Sequence, residues 1–241
     1  MSPHELGPAA TLIVLQARLG SRRLPGKALS RIGGRTILAH AVTRLVASGV
    51  APVVVATTTE TEDDAIAMEA ARLGVAAFRG PRDHVLERFV LLARLRGARR
   101  LVRATADNPA VDIDAPGRVL AALEAQRADY VVEDGLPYGG AVEAVTVGAL
   151  EQALAWTRDP YDQEHVTPYV VRRPDVYRVV RAAAPASVRR PDLRFTVDTR
   201  EDLLYMREVF SVAGPHATGH PMAGLIRAAD RLRGLALQGA A

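Results

Sequence analysis

Apolar residues recur along this chain in two rhythms, short unbroken runs and longer stretches at helical spacing. Thr11–Ala17 (TLIVLQA) is a near-continuous apolar run of strand length, the pattern of a central strand buried on both faces. In Thr36–Ser48, Ile37, Leu38, Ala41, Val42, Leu45 and Val46 fall at helical intervals, and Gly49 is the stop. Pro52–Thr57 reads as a second strand, Glu62–Leu73 as a helix closed by Gly74, and Val75–Phe78 as a short third strand. Asp83 is placed to cap a helix that runs to Arg96 and stops at Gly97. The strand Leu101–Thr105 then leads into the polar turn Ala106-Asp107-Asn108-Pro109. Asp114 is positioned to cap a further helix to Gln126, before a strand over Asp129–Glu133. This alternation predicts an α/β fold with a doubly wound, mostly parallel sheet of Rossmann-like winding.

The rhythm changes after residue 135. Gly135, Pro137, Gly139 and Gly140 mark a loop, and Ala141–Val147 then looks like a strand. Helices are expected at Ala149–Thr157 and Gln163–Arg172, late strands at Val176–Val180 and Leu193–Val197, and a helix over Glu201–Phe210 capped by Thr199. The chain therefore reads as a single domain, 1–241. Its core covers 11–134, an insertion or edge region with antiparallel pairing covers 135–190, residues 191–212 return to the core, and 213–241 form a Gly/Ala-rich tail. The 135–190 region is expected to carry a second ligand site and a homodimer surface.

Composition narrows the function classes. Hydrophobic residues at 49% and charged residues at 24% describe a globular chain, and no apolar run approaches the roughly 18–20 residues of a membrane span. With no Cys, disulfides and thiolate metal sites are excluded. Met1-Ser2-Pro3-His4-Glu5 lacks the basic start of a secretory signal, so a cytoplasmic setting is expected. The net charge of +4 raises a nucleic-acid reading, but acidic residues interleave with the basic ones and aromatics are only 5%. A small anionic substrate accounts better for the excess. Of the 31 basic residues all but one are Arg, and the exception is Lys27.

That lysine ends the densest chemical signal in the chain, Gln16-Ala17-Arg18-Leu19-Gly20-Ser21-Arg22-Arg23-Leu24-Pro25-Gly26-Lys27. The segment leaves the first buried strand, and open α/β sheets place ligands outside the carboxyl ends of their strands. Gly residues let backbone amides approach a polyphosphate, while Arg and Lys neutralise its charge. It is not a Walker loop, because one residue too many separates Gly20 from Gly26 and Ala28 stands where Ser or Thr would bind Mg²⁺. On an exposed loop, substitution of Lys27 is expected to leave stability nearly unchanged.

The loop is the first of several segments in a fixed order: QARxxSxRLPGK, ATxxxxxD, FRGxxxxVLxRF and RxTxDNP. Val142-Glu143-Ala144, Glu164-His165-Val166-Thr167-Pro168-Tyr169 and Phe195-Thr196-Val197-Asp198-Thr199-Arg200-Glu201-Asp202 complete the set. In this combination the chain resembles the cytidylyltransferase family that includes the acylneuraminate and Kdo cytidylyltransferases, most closely the branch of the spore coat polysaccharide biosynthesis protein SpsF. The resemblance implies a nucleotidyltransferase that couples CTP to a small anionic, sugar-like acceptor and releases pyrophosphate.

By the same resemblance Arg18 and Lys27 bind the triphosphate. Gly20, Ser21 and Arg22 line the loop, and Gln16 and Ala17 lie near the nucleoside. Thr57, Thr58 and Arg79 follow the base and ribose, and Arg103 faces the triphosphate or supports Asp107. Asp107 and Asp198 are the expected metal ligands. Each is a carboxylate just after a predicted strand, and Mg²⁺ takes one or two carboxylates together with phosphate oxygens and waters. Glu143 and His165 are the candidates for acceptor recognition. Tyr138-Gly139-Gly140-Ala141 departs from the usual sequence of this branch and leaves the acceptor open. Two other functions compete: a GT-A-type glycosyltransferase, from the D-x-D match Asp112-Ile113-Asp114, and a nucleotide-binding protein without turnover.

Overall fold

The TLIVLQ run forms β1 (Thr11–Gln16), and its alternate side chains enter two separate cores. Ile13 and Leu15 point into one apolar layer and Leu12 and Val14 into the other, all fully buried. The computed structural model describes residues 10–21 and 23–239, so the expectation for Arg22 lies outside the described residues.

After β1 the chain makes a short hairpin, β2 (Arg31–Ile32) and β3 (Arg35–Thr36), and enters α1 (Ile37–Ala47). There follow β4 (Val53–Thr58), α2 (Asp64–Arg72), β5 (Ala76–Gly80), α3 (Val85–Arg96), β6 (Arg100–Thr105), α4 (Ala115–Ala125) and β7 (Tyr130–Asp134). The later part comprises β8 (Glu143–Thr146), α5 (Val147–Trp156), α6 (Pro160–His165), α7 (Pro168–Val171), β9 (Val179–Ala183), α8 (Arg200–Ala213) and α9 (Met222–Gly239).

Seven strands make one sheet in the order β5-β4-β1-β6-β8-β7-β9. All neighbours run parallel except β8, which pairs antiparallel with both β6 and β7. One face is covered by α1, α2, α4, α8 and α9, the other by α3, α5 and α7, so the sheet is doubly wound as predicted. The antiparallel pairing expected after residue 135 is present. Its strand lies inside the sheet, next to β6, rather than on the rim.

Several sequence expectations change. The helix expected over Gln163–Arg172 is two pieces, because Val166 adopts φ 72°, ψ −56° and the Thr167 amide donates to the His165 carbonyl at 2.9 Å. This is a γ-turn, and Pro168 after Thr167 further disfavours a continuous helix. Asp83 does not cap α3, whose cap position falls on His84 without a side-chain bond. Asp114 does take the cap position of α4, again without a side-chain bond. Leu193–Val197 builds no strand. It makes one bridge, Arg194 to Tyr138, while the Phe195 amide donates to the Tyr138 carbonyl at 2.7 Å and the Val197 amide to the Asp107 carbonyl at 2.8 Å. Within the expected tail, α9 buries Met222, Leu225, Ala228 and Ala229 against the sheet face, an apolar period that the Gly and Ala content obscures.

Gly139 shows how tightly the crossing of these segments is packed. Its φ is +94°, and a Cβ there would meet the Thr196 amide nitrogen at 2.8 Å and Asn108 Oδ1 at 2.9 Å. Gly139→Ala is therefore expected to destabilise the fold by about 2 kcal/mol, a fall in melting temperature of about 4–8 °C. An unchanged melting curve would mean that this crossing tolerates displacement.

Candidate active site

Three distant segments meet at the carboxyl ends of β1 and β6. Lys27 Nζ donates to Asp107 Oδ2, to Asp198 Oδ1 and to the Val197 carbonyl, each at 2.9 Å. The two carboxylates come together because their backbones do: the Val197 amide bonds the Asp107 carbonyl, which sets Asp198 beside Asp107. Each acid has its other oxygen fixed from behind. Thr105 Oγ1 donates to Asp107 Oδ1 at 2.6 Å, and Arg194 donates to Asp198 Oδ2 at 2.7 Å. Burial acts to raise the Asp198 pKa, but Lys27, Arg23 and Arg194 outweigh it and hold the carboxyl below its ordinary range.

Lys27 is not on a solvated loop. Only 13% of its side chain is exposed, so the expectation that its loss leaves stability unchanged is not met by its surroundings. Removing it would leave two partly buried acids without their shared cation, a costly arrangement.

The loop that delivers Lys27 is closed by its own backbone. The Leu19 carbonyl accepts from the Ser21 amide at 2.7 Å and from the Gly26 amide at 3.0 Å. Gly26, at φ 71°, supplies the left-handed turn that starts the 3-10 segment Lys27–Leu29. The loop is tied down by Asp63, which is 1% exposed. Its Oδ1 accepts the Leu19 amide at 2.7 Å, and its Oδ2 accepts the Thr58 hydroxyl.

A cavity of about 580 Å³ opens over this loop. The structure brings Gln16, Ala17, Arg18, Gly20, Ser21, Lys27, Arg103, Asp107, His165 and Asp198 together around it, ten of the residues singled out from the sequence. Thr57, Thr58 and Arg79 are not in its lining. Thr58 is committed to Asp63, and Arg79 donates to the Thr58 and Glu60 carbonyls and pairs with Asp64. Glu143 is also outside the lining and fully engaged: it accepts from Arg103 at 2.7 Å, from Tyr130 at 2.9 Å and from Thr167 at 3.2 Å. Burial first, and then the Glu143 charge, raises the Tyr130 pKa, which keeps that phenol a donor. Glu143 thus braces Arg103, whose other arm reaches Gln16 Oε1 at 3.3 Å.

Sequence reasoning missed Arg23, Arg82, Thr105, Pro160 and Glu164, and took Asp83 for a helix cap. Glu164 forms an ion pair with Arg18 at 2.7 Å across the cavity. Its place next to His165 was the available signal. Asp63 was equally visible, as the acid that ends ATxxxxxD. Arg82 had none, since its loop is shaped by Arg88, which is 1% exposed and donates to the Pro81 and Arg82 carbonyls. Burial, reinforced by the Arg18 charge, lowers the Arg88 pKa to about 10, still cationic at neutral pH.

Asp112, the first acid of the D-x-D match, is 1% exposed and accepts from Arg118 at 2.5 Å, and Arg118 also holds Glu133. Neither Asp112 nor Asp114 lines the cavity. Among the described residues no helix is long and apolar enough to cross a membrane, and no group of three or more His, Cys, Asp or Glu is arranged to hold a metal ion. Asp107 and Asp198, two of the acids that line the cavity, share a single cation, Lys27. These acids already accept one positive centre between them, which fits an ion that completes its shell with ligand oxygens.

Comparison with known proteins places this geometry in context. The family model described as Cytidylyltransferase matches residues 12–222. The chain is 36% identical over 195 residues to the uncharacterized protein MJ1063 of Methanocaldococcus jannaschii, covering 80% of each. It is 35% identical over 213 residues to the spore coat polysaccharide biosynthesis protein SpsF of Bacillus subtilis, covering 84% of this chain and 87% of that one. A solved cytidylyltransferase from Leptospira borgpetersenii superposes with a TM-score of 0.86 at 28% identity, over 93% of this chain and 95% of that one.

The Asp63 tether predicts a measurable cost. Asp63→Ala leaves the Leu19 amide without its acceptor and is expected to destabilise the protein by about 1–3 kcal/mol in urea unfolding, while Asp63→Asn keeps one acceptor oxygen and costs less. Equal stabilities for both variants would show that the loop does not depend on this carboxylate.

Proposed function

This chain belongs to the cytidylyltransferase family, and we propose that it transfers the cytidylyl group of CTP to a small anionic, sugar-like acceptor with release of pyrophosphate. The observation that carries this reading is the convergence of Lys27, Asp107 and Asp198 at the mouth of the loop that follows β1. An acceptor oxygen attacks the α-phosphorus, a new P–O bond forms, and the bond to the β-phosphate oxygen breaks. Arg18 and Lys27 neutralise the charge that accumulates on the departing pyrophosphate. Gln16 and Ala17 border the nucleoside, and Arg103, braced by Glu143, holds Gln16. Catalysis then consists mainly of positioning and electrostatics, with no protein nucleophile.

The acidic pair would hold Mg²⁺, which supplies Lewis-acid stabilisation of phosphate charge when bound. Asp107 and Asp198 are the residues assigned to it, with Thr105 and Arg194 orienting them from behind. His165 and Glu164 are assigned to the acceptor side of the cavity, in place of Glu143. The acceptor is drawn as a sugar acid or a similar anion because Arg23 and Arg82 line the same cavity as the arginine and lysine assigned to the triphosphate. The name of the Bacillus relative, with its link to polysaccharide biosynthesis, points the same way. A cytoplasmic setting belongs to the same proposal, since the donor is a nucleoside triphosphate.

The test is a matrix of nucleoside triphosphates against candidate acceptors, read as pyrophosphate release. CTP is expected to be preferred, and Lys27→Ala is expected to lower turnover by about 30- to 1,000-fold at saturating CTP, metal and acceptor, the scale of one lost preorganised charge contact. Lys27→Arg should recover only part of it, because a planar fork has different reach from a compact ammonium. Wild-type turnover in a folded Lys27→Ala protein would remove the triphosphate from this loop. Tighter calorimetric binding of UTP, GTP or ATP would overturn the base assignment alone.

A homodimer is part of the proposal as well. Tyr138, Trp156, Tyr161 and Val176 lie in the 135–190 region and are 61%, 55%, 55% and 45% exposed, which leaves them available to a second copy of the chain. Light scattering is expected to report twice the chain mass of 25.8 kDa, and a monomer mass at micromolar concentration would reject it.

A further inference from the structure

An ammonium group has three N–H donors, and each of the three acceptors of Lys27 lies at 2.9 Å. Two of those acceptors are Asp107 Oδ2 and Asp198 Oδ1, the oxygens that remain once Thr105 and Arg194 have taken the others. They are also the oxygens through which the pair would reach a divalent cation. An ammonium and a dication at the same two oxygens repel each other, since each places like charge against the other at contact distance. Arg23 also touches Asp198 Oδ1, at 2.9 Å, but its side chain is 66% exposed and its charge is correspondingly screened.

We propose that Lys27 is an internal counter-ion that competes with the divalent cation for Asp107 and Asp198, and that a nucleoside triphosphate relieves the competition by drawing the ammonium onto its phosphates. The inference rests on the metal and triphosphate assignments made under the proposed function. It adds an exchange of partners. Lys27 gives up two carboxylates and a carbonyl for phosphate oxygens, and the carboxylates gain the dication in its place. Neither the acids nor the ammonium is left without an opposite charge at the end of the exchange. Without nucleotide the dication must evict an ammonium that has nowhere comparable to go, so the free enzyme binds metal weakly. By linkage, whatever factor the nucleotide lends to the metal through Lys27, the metal lends to the nucleotide.

The experiment uses Mn²⁺ as the probe and nucleotide-free protein, with bound metal counted by electron paramagnetic resonance. Lys27→Met, which keeps an unbranched chain and removes the charge, is expected to bind Mn²⁺ at least about tenfold more tightly than wild type, within the usual range of coupling between two ligands. Equal or weaker binding by a folded Lys27→Met protein overturns the proposal. A second measurement needs no variant, because Lys27 is the sole lysine of the chain. Its amine is acylated by acetic anhydride and the modified peptide quantified by mass spectrometry while Mn²⁺ is titrated into wild type. The rate is expected to rise along the same curve as metal binding, and a flat rate through a titration that saturates the site overturns the proposal. If neither protein binds Mn²⁺, with or without CTP, the metal assignment itself falls and the competition falls with it. Binding in the presence of CTP but no gain in Lys27→Met rejects the competition alone.

Discussion

One ammonium held between two carboxylates sets the terms for the rest of this structure. Lys27 lies 80 residues from Asp107 and 171 from Asp198, so the contact can form only when β1, β6 and the segment before α8 share one end of the sheet. Bringing two acids out of water is costly unless their oxygens are all engaged. Here each oxygen has a partner: Thr105 and Arg194 on the outer pair, Lys27 on the inner pair. The backbone serves the same end. The bond from the Val197 amide to the Asp107 carbonyl fixes the spacing, and the capping box of Thr199 and Asp202 turns the chain into α8 directly after Asp198. Gly139 is small because this crossing leaves no room for a Cβ.

A second consequence concerns the other charges in the cavity. Arg18 is paired with Glu164, and Arg103 with Glu143. The site is thus an array of cations already matched to anions, and a polyanionic ligand enters by exchanging partners rather than by meeting bare charge. Such an exchange keeps the free site compatible with burial, and it makes binding depend on geometry more than on net charge. The small net charge of +4 says little about this arrangement, since the local pairing and not the total decides what each cation can reach.

How far the sequence discloses this depends on the range of the interaction that fixes each feature. The buried strands and the α1, α4 and α8 helices are local: an unbroken apolar run or a helical period, with Gly stops or a Thr cap, is enough to find them. The basic loop is local too, because Gly, Pro and cations fall within one short stretch at a strand end. What escapes is set by distant partners. β8 is four residues long, and nothing in Glu143–Thr146 says that it enters the sheet between β6 and β7. Glu143 reads as a free carboxylate until Arg103, Tyr130 and Thr167 close around it. The break at Val166 is a local turn of the backbone, and Pro168 two residues later is the sign of it that the sequence carries.

The rarity of lysine in this chain gains a physical sense at position 27. Arginine serves elsewhere, where a planar fork can lie along a carboxylate, as Arg118 does with Glu133 or Arg181 with Asp134. Between Asp107, Asp198 and the Val197 carbonyl the three acceptors surround one point at equal distances of 2.9 Å. A tetrahedral ammonium can aim one N–H at each of them from a single nitrogen. A guanidinium spreads its donors across a plane, so it would have to move one acid away or leave one acceptor unmet. The same compactness lets the group leave as a unit for a phosphate on a flexible stem, with side-chain rotation rather than rearrangement of the sheet end. Lysine at position 27 thus stands where the geometry asks for a point charge.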